Sequence, residues 1–158
     1  MRACFFFLCH LNSHAMAGTI TDDKGAPPVV VLAGGLNIEV TPSVAEDSVY
    51  LLSLDTMAVR AGPALPRPRY GGSALSFRYL RHSKYNIKQV KILGIFPRNS
   101  TLIVGGSDYD RDTRTVIPLY DMIWLDPETM EWVTLPQRLL YDRTSNPVIP
   151  IPEGYVQC

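Results

Sequence analysis

Two stretches of this chain carry the same succession of strand and turn residues, and that repetition limits what the chain can fold into more than any single motif does. Residues 29–35 (VVVLAGG) and 101–106 (TLIVGG) are apolar runs that end in glycine pairs, Gly34-Gly35 and Gly105-Gly106. A second apolar run follows each, within residues 49–59 (VYLLSLDTMAV) and 122–132 (MIWLDPETMEW). Aligned without a gap, these set Thr56-Met57 on Thr129-Met130 and Val59 on Trp132. At Asp126-Pro127-Glu128-Thr129 the proline presets the first central turn position and the preceding aspartate can bond the turn backbone, so two antiparallel strands meet there. Self-similarity of this kind marks a repeat architecture.

The residue types suit stacked sheets. VVVLAGG and TLIVGG are continuous apolar runs instead of alternating ones, as expected of strands buried on both faces. The paired glycines permit positive φ and close backbone approach. Trp132 offers a large apolar surface with one N–H to satisfy.

With these features in place, the chain resembles the kelch-repeat family, whose copies form the four-stranded blades of a β-propeller. The resemblance rests on Gly34-Gly35 and Gly105-Gly106, on Trp132, and on two arginines, Arg69 and Arg143, that look like blade openings. Residues 66–74 (PRPRYGGSA), with Gly71-Gly72, match such an opening, and residues 12–17 (NSHAMA) resemble the family's His-Ala strand start. The chain departs from the pattern at Val59, where a Trp is expected, and at Leu52 and Leu125, where a Tyr is usual. The resemblance implies an all-β fold: a partial kelch-type β-propeller of antiparallel four-stranded blades, its ring not closed by this chain alone.

At about 50 residues per repeat and typically 4 to 8 blades, a closed ring needs at least about 200 residues. The chain has 158. The expected division is an apolar leader or remnant of a preceding blade at 1–11, one blade at 12–66, a second at 67–136 with a basic insertion at 78–100, and opening strands of a third at 137–158. Such a piece is expected to leave a wide apolar blade face open to water, including residues 29–32, and to self-associate through open blade edges.

The insertion accounts for the distance between the glycine pairs, which lie 71 positions apart. It carries six of the fifteen Lys and Arg residues and no acid. Arg81, Lys84, Lys88 and Lys91 would share one face of a helix, whereas residues 90–96 read equally as a strand. Asn99-Ser100-Thr101 is a glycosylation sequon if the chain is secreted. Residues 1–17 have the outline of a short secretory leader. The preferred reading is the strand remnant, and with it a cytoplasmic location, because cleavage after Ala17 would remove the strand start at His14.

Formal net charge is zero, so no global field recruits nucleic acid, and no segment is long enough for a membrane-spanning helix. Three cysteines, Cys4, Cys9 and Cys158, imply no intramolecular disulfide framework. Cys4, Cys9, His10 and His14 do not fall at paired zinc-ligand spacings. Residues 108–112 (DYDRD) begin like a calcium loop, but Thr113 stands where glycine is required and Leu119 where a bidentate glutamate is required. No metal site and no cofactor are therefore expected.

No GxSxG, HExxH or phosphate-loop motif occurs, and His82 is the only histidine beyond the N-terminal region. The expected function is a non-catalytic protein–protein interaction module with an unidentified protein partner. The loops after the glycine pairs would face that partner, with Asn37 and Glu39 on the first and Asp108, Tyr109, Asp110, Arg111 and Asp112 on the second. The alternatives are part of a kelch-propeller enzyme such as a secreted oxidase, or a non-functional truncated product.

Overall fold

A computed structural model describes residues 12–21, 27–76 and 100–141. The leader at 1–11, Cys4, Cys9, His10, residues 77–99 of the basic stretch including His82 and Asn99, Arg143 and Cys158 lie outside the described residues. Among the described residues every regular element is a β-strand. No helix there is long and apolar enough to cross a membrane.

The first apolar run is strand β3 (Val29–Ala33), flanked by β2 (Met16–Ile20) and β6 (Val49–Ser53). With β7 (Val59–Ala61) they form an antiparallel sheet in the order β2-β3-β6-β7. The second sheet repeats that order with β8 (Ser73–Ser76), β9 (Thr101–Val104), β12 (Asp121–Leu125) and β13 (Trp132–Arg138). Strand β13 runs two residues past the boundary expected at 136, so 137 and 138 belong to the second sheet.

Hydrogen bonds at the strand ends repeat one for one. Gly34 N donates to Ser48 O (2.9 Å) as Gly105 N does to Asp121 O (3.0 Å), and Ser53 N donates to Ala58 O as Asp126 N does to Glu131 O, both at 2.9 Å. The last pair closes the turns before β7 and β13, and in each turn a methionine takes left-handed backbone, Met57 at φ 56° and Met130 at φ 57°. The turns are alike because Ser53 Oγ accepts from Thr56 N just as Asp126 Oδ1 accepts from Glu128 N and Thr129 N.

The continuous apolar strands are explained by what lies on either side of them. In β9 Ile103 joins a core with Val31, Ala33, Val49 and Leu51 of the first sheet. Its neighbours Leu102 and Val104 point the other way, onto Trp124, Met122 and Leu139. Of the apolar residues expected to stand open at 29–32, one side is covered, with Val31 fully buried against the second sheet and Val29 packed beside it, while Val30 and Leu32 on the other side are half-buried. The correction follows from alternation, since one side of β3 packs on the adjacent sheet.

Close approach of the sheets depends on Gly18 in β2, where a Cβ would collide with the Thr101 side chain. That contact lets Thr101 Oγ1 donate to Thr19 O (3.1 Å), while Thr19 N donates to Ser76 Oγ (2.6 Å). On the outer side, Trp132 Nε1 donates to Pro63 O (2.8 Å) and ties β13 to the segment linking the sheets.

Candidate interaction surface

Each glycine pair turns the chain out of its sheet into a small hairpin. Gly34 and Gly105 have φ 62° and 63°, and beyond them β4 (Leu36–Asn37) pairs with β5 (Val44–Ala45), while β10 (Ser107–Asp110) pairs with β11 (Thr115–Pro118). The stretch at 37–47, expected as a loop, therefore has short strands at its two ends. A further strand edge supports each hairpin: β1 (Asn12–Ser13) on β4, and a bridge from Tyr70 to Ser107 on β10. Strands β5 and β10 lie in contact, so both hairpins stand on the same side of the sheet pair.

The root of this surface is Arg69, whose side chain is fully buried. Its main chain is docked on the first sheet, with Arg69 N donating to Glu46 O (3.1 Å) and Arg69 O accepting from Gly35 N (2.9 Å). A Cβ on Gly34 would strike that same carbonyl oxygen. The guanidinium reaches the second sheet: Nη1 donates to Gly105 O (3.2 Å) and Asp121 Oδ1 (3.1 Å), and Nη2 to Asp121 Oδ2 (2.9 Å). Two parallel charge-assisted bonds fix a guanidinium in orientation as well as position. Arg69 thus holds the two hairpin bases at a set separation, and its Nε has no partner among the described residues.

The residues expected to face a partner divide into two groups. Some shape the hairpins: Asn37 Nδ2 donates to Glu46 (3.1 Å) and Asn37 Oδ1 accepts from Glu39 N (3.0 Å), which closes the base of the first tip. Asp110 Oδ1 accepts from Asp112 N (2.9 Å) and Thr113 N (3.3 Å) at the second tip. The bond from the Thr113 side chain, then those from the Thr113 and Asp112 backbone, hold its carboxyl below the ordinary 3.8. Asp108 is drawn back to Arg67, with Nε to Oδ2 at 3.0 Å, and also accepts from Tyr109 N (2.7 Å). The acidic alternation therefore splits three ways, and among the described residues no three His, Cys, Asp or Glu side chains come together as a metal-holding group.

The other group is presented outward. Glu39, Arg111 and Asp112 are exposed, and beside them stand the exposed apolar side chains Ile38, Val40 and Val116. Tyr70 and Tyr109 are half-buried, and burial, then Tyr109 and Asp108, push the Tyr70 phenol upward from 10.0. Trp132, Gly71, Gly72, Gly105 and Gly106 are part of the packing and turns beneath this surface.

Sequence reasoning missed Asp121, Arg67 and Tyr70. A signal existed for Asp121, because the gapless alignment places it on Ser48, and backbone pairing places Arg69 on Asn12. Both members of the ion pair are thus absent together from the first repeat. The second correspondence is hidden in the sequence by residues 78–100, which separate Arg69 from its own glycine pair.

Solved structures to which the chain is similar include that of YjhT, with a TM-score of 0.56 over 89% of this chain at 14% identity. It spans 32% of that chain, about a third of its length. No protein-family model and no curated protein matches the sequence.

Proposed function

We propose that this chain is a two-blade portion of a kelch-type β-propeller and serves as a non-catalytic protein–protein interaction scaffold, with the hairpins at 37–47 and 107–115 facing the partner. The observation that carries the reading is the placement of exposed apolar and charged side chains, Ile38, Val40, Val116, Glu39 and Arg111, on two hairpins that share one side of a rigid sheet pair. Loops on a fixed scaffold are where binding residues concentrate, and repeats place such loops on one face. The repeat of sheet order supports the propeller reading, as does the structural likeness to a chain about three times as long.

Cross-linking mass spectrometry on the chain incubated in cell extract tests this, with Ile38→Ser/Val116→Ser as comparator. Both positions are exposed, so the variant keeps the fold. A partner cross-linked at 37–47 or 107–115 and lost in the variant is the expected result. Cross-links confined to other surfaces, or unchanged by the substitutions, would end the reading.

A further inference from the structure

Beside the second sheet, a groove of about 360 Å³ runs between the end of β11 with its following residues and the outer strand β13. Its lining is about evenly polar and apolar, with Pro118, Leu119, Leu135 and Pro136 beside Tyr120 and Thr134. Arg67 and Arg138 line it with Asp121. The volume suits a few side chains of a bound segment.

The charges in the groove do not cancel one another. Asp121 is the one acid of the lining, and both of its oxygens are taken by the buried Arg69. Arg138, the register partner of Asp121 across β12 and β13, is exposed and has no carboxylate within ion-pair distance among the described residues. Arg67 uses Nε on Asp108 and leaves its side chain 46% exposed, with the two terminal nitrogens uncommitted. The groove therefore offers two guanidiniums beside apolar residues, while the carboxylate of its lining is already paired.

This character does not come from the repeat. Leu119 N bonds Gly106 O as Glu46 N bonds Gly35 O, and Leu139 N bonds Tyr120 O as Leu65 N bonds Asp47 O. Glu46 and Asp47 thus hold the places of Leu119 and Tyr120, and the first sheet carries acids where the second carries an apolar and a hydroxyl-bearing residue. The counterpart of Pro136 in the first sheet, Pro63, is moreover closed over by Trp132.

We propose that this groove binds an acidic, leucine-bearing segment of a partner polypeptide, with carboxylates on Arg67 and Arg138 and an aliphatic side chain on Pro118 and Pro136. The site is separate from the hairpin tips and does not depend on the propeller reading. Charge complementarity selects this occupant, because every uncommitted charged group in the lining is cationic.

Fluorescence anisotropy with the full chain and a rhodamine-labelled, end-blocked peptide of alternating Glu and Leu decides the matter, with matched Gln/Leu and Lys/Leu peptides as controls. The acidic peptide is expected to bind at least about tenfold more tightly than either control at low salt, and to weaken as salt rises. Arg138→Gln should weaken it about tenfold or more, since a charge-assisted bond is lost. Asp108→Asn, which frees Arg67 without touching the groove, should leave binding equal or tighter, and Ile38→Ser/Val116→Ser should leave it unchanged. Equal binding of acidic and neutral peptides, or indifference to Arg138→Gln, would overturn the proposal. A concentration-dependent dimer in sedimentation that the acidic peptide fails to dissociate, and that Arg138→Gln weakens, would overturn it too, by assigning the groove to a second copy.

Discussion

At Arg69 one residue carries interactions that neither repeat contains alone. Its backbone belongs to the first sheet's hydrogen-bonding and its guanidinium to the second's, so removing its counter-charge should be felt by the whole sheet pair. Breaking a buried ion pair by deleting one partner costs about 3–5 kcal/mol, and because the Asp121 side chain is 25% exposed the lower end applies. Asp121→Asn is expected to lower stability in urea by about 3 kcal/mol. The double variant Arg69→Met/Asp121→Leu should recover part of that loss, and a fully additive result would show that the two side chains do not act together. The two left-handed methionines make a second comparison. Left-handed backbone costs a non-glycine residue about 1–2 kcal/mol, against about 0.5–1 kcal/mol of extra chain entropy for glycine. Met57 is exposed, so Met57→Gly should leave stability unchanged or raise it by up to about 1.5 kcal/mol. Met130 packs on the core, so Met130→Gly should cost about 1–3 kcal/mol in the same measurement.

The elements that matter most here are the hairpins, and each is shaped from its own residues. The tip of the second is closed by Asp110, whose ionised carboxylate accepts from the backbone at 112 and 113. Its pKa is depressed, so its support of the tip is fully present above the ordinary carboxylate value and is lost as pH falls through the lowered folded one. NMR titration should show Asp110 titrating below the ordinary carboxylate value, with the amide resonances of Asp112 and Thr113 moving over the same range. Titration of Asp110 at the ordinary carboxylate value would remove the hydrogen-bonded account of the tip.

Across the whole molecule, the two sheets meet where Gly18 faces Thr101. Gly18→Ala should cost about 1–3 kcal/mol through overpacking. In the Thr101→Ser background, which keeps the hydroxyl bond to Thr19 O and removes the methyl, the same substitution should cost less, and a double-mutant cycle reads the difference. An additive cycle would place the sheets farther apart than this contact requires.

Much of this architecture is legible in the residues because the relevant physics is local or periodic. The glycine pairs, the alignment of Met57 with Met130 and the continuous apolar runs each report a backbone shape or a two-sided burial that the residue types themselves demand. The acidic alternation at 108–112 misled as a single unit, since each aspartate finds its partner through backbone geometry or through Arg67, 41 positions earlier. Sequence alone determined that the chain is all-β, that it repeats, and where its turns fall, because propensity, turn chemistry and periodicity act over a few neighbours. Only the tertiary structure decided that Arg69 meets Asp121, that Gly18 admits Thr101, and that Arg67 and Arg138 line one groove. Those pairings join residues far apart in the chain and depend on how two separately specified sheets come to rest against each other.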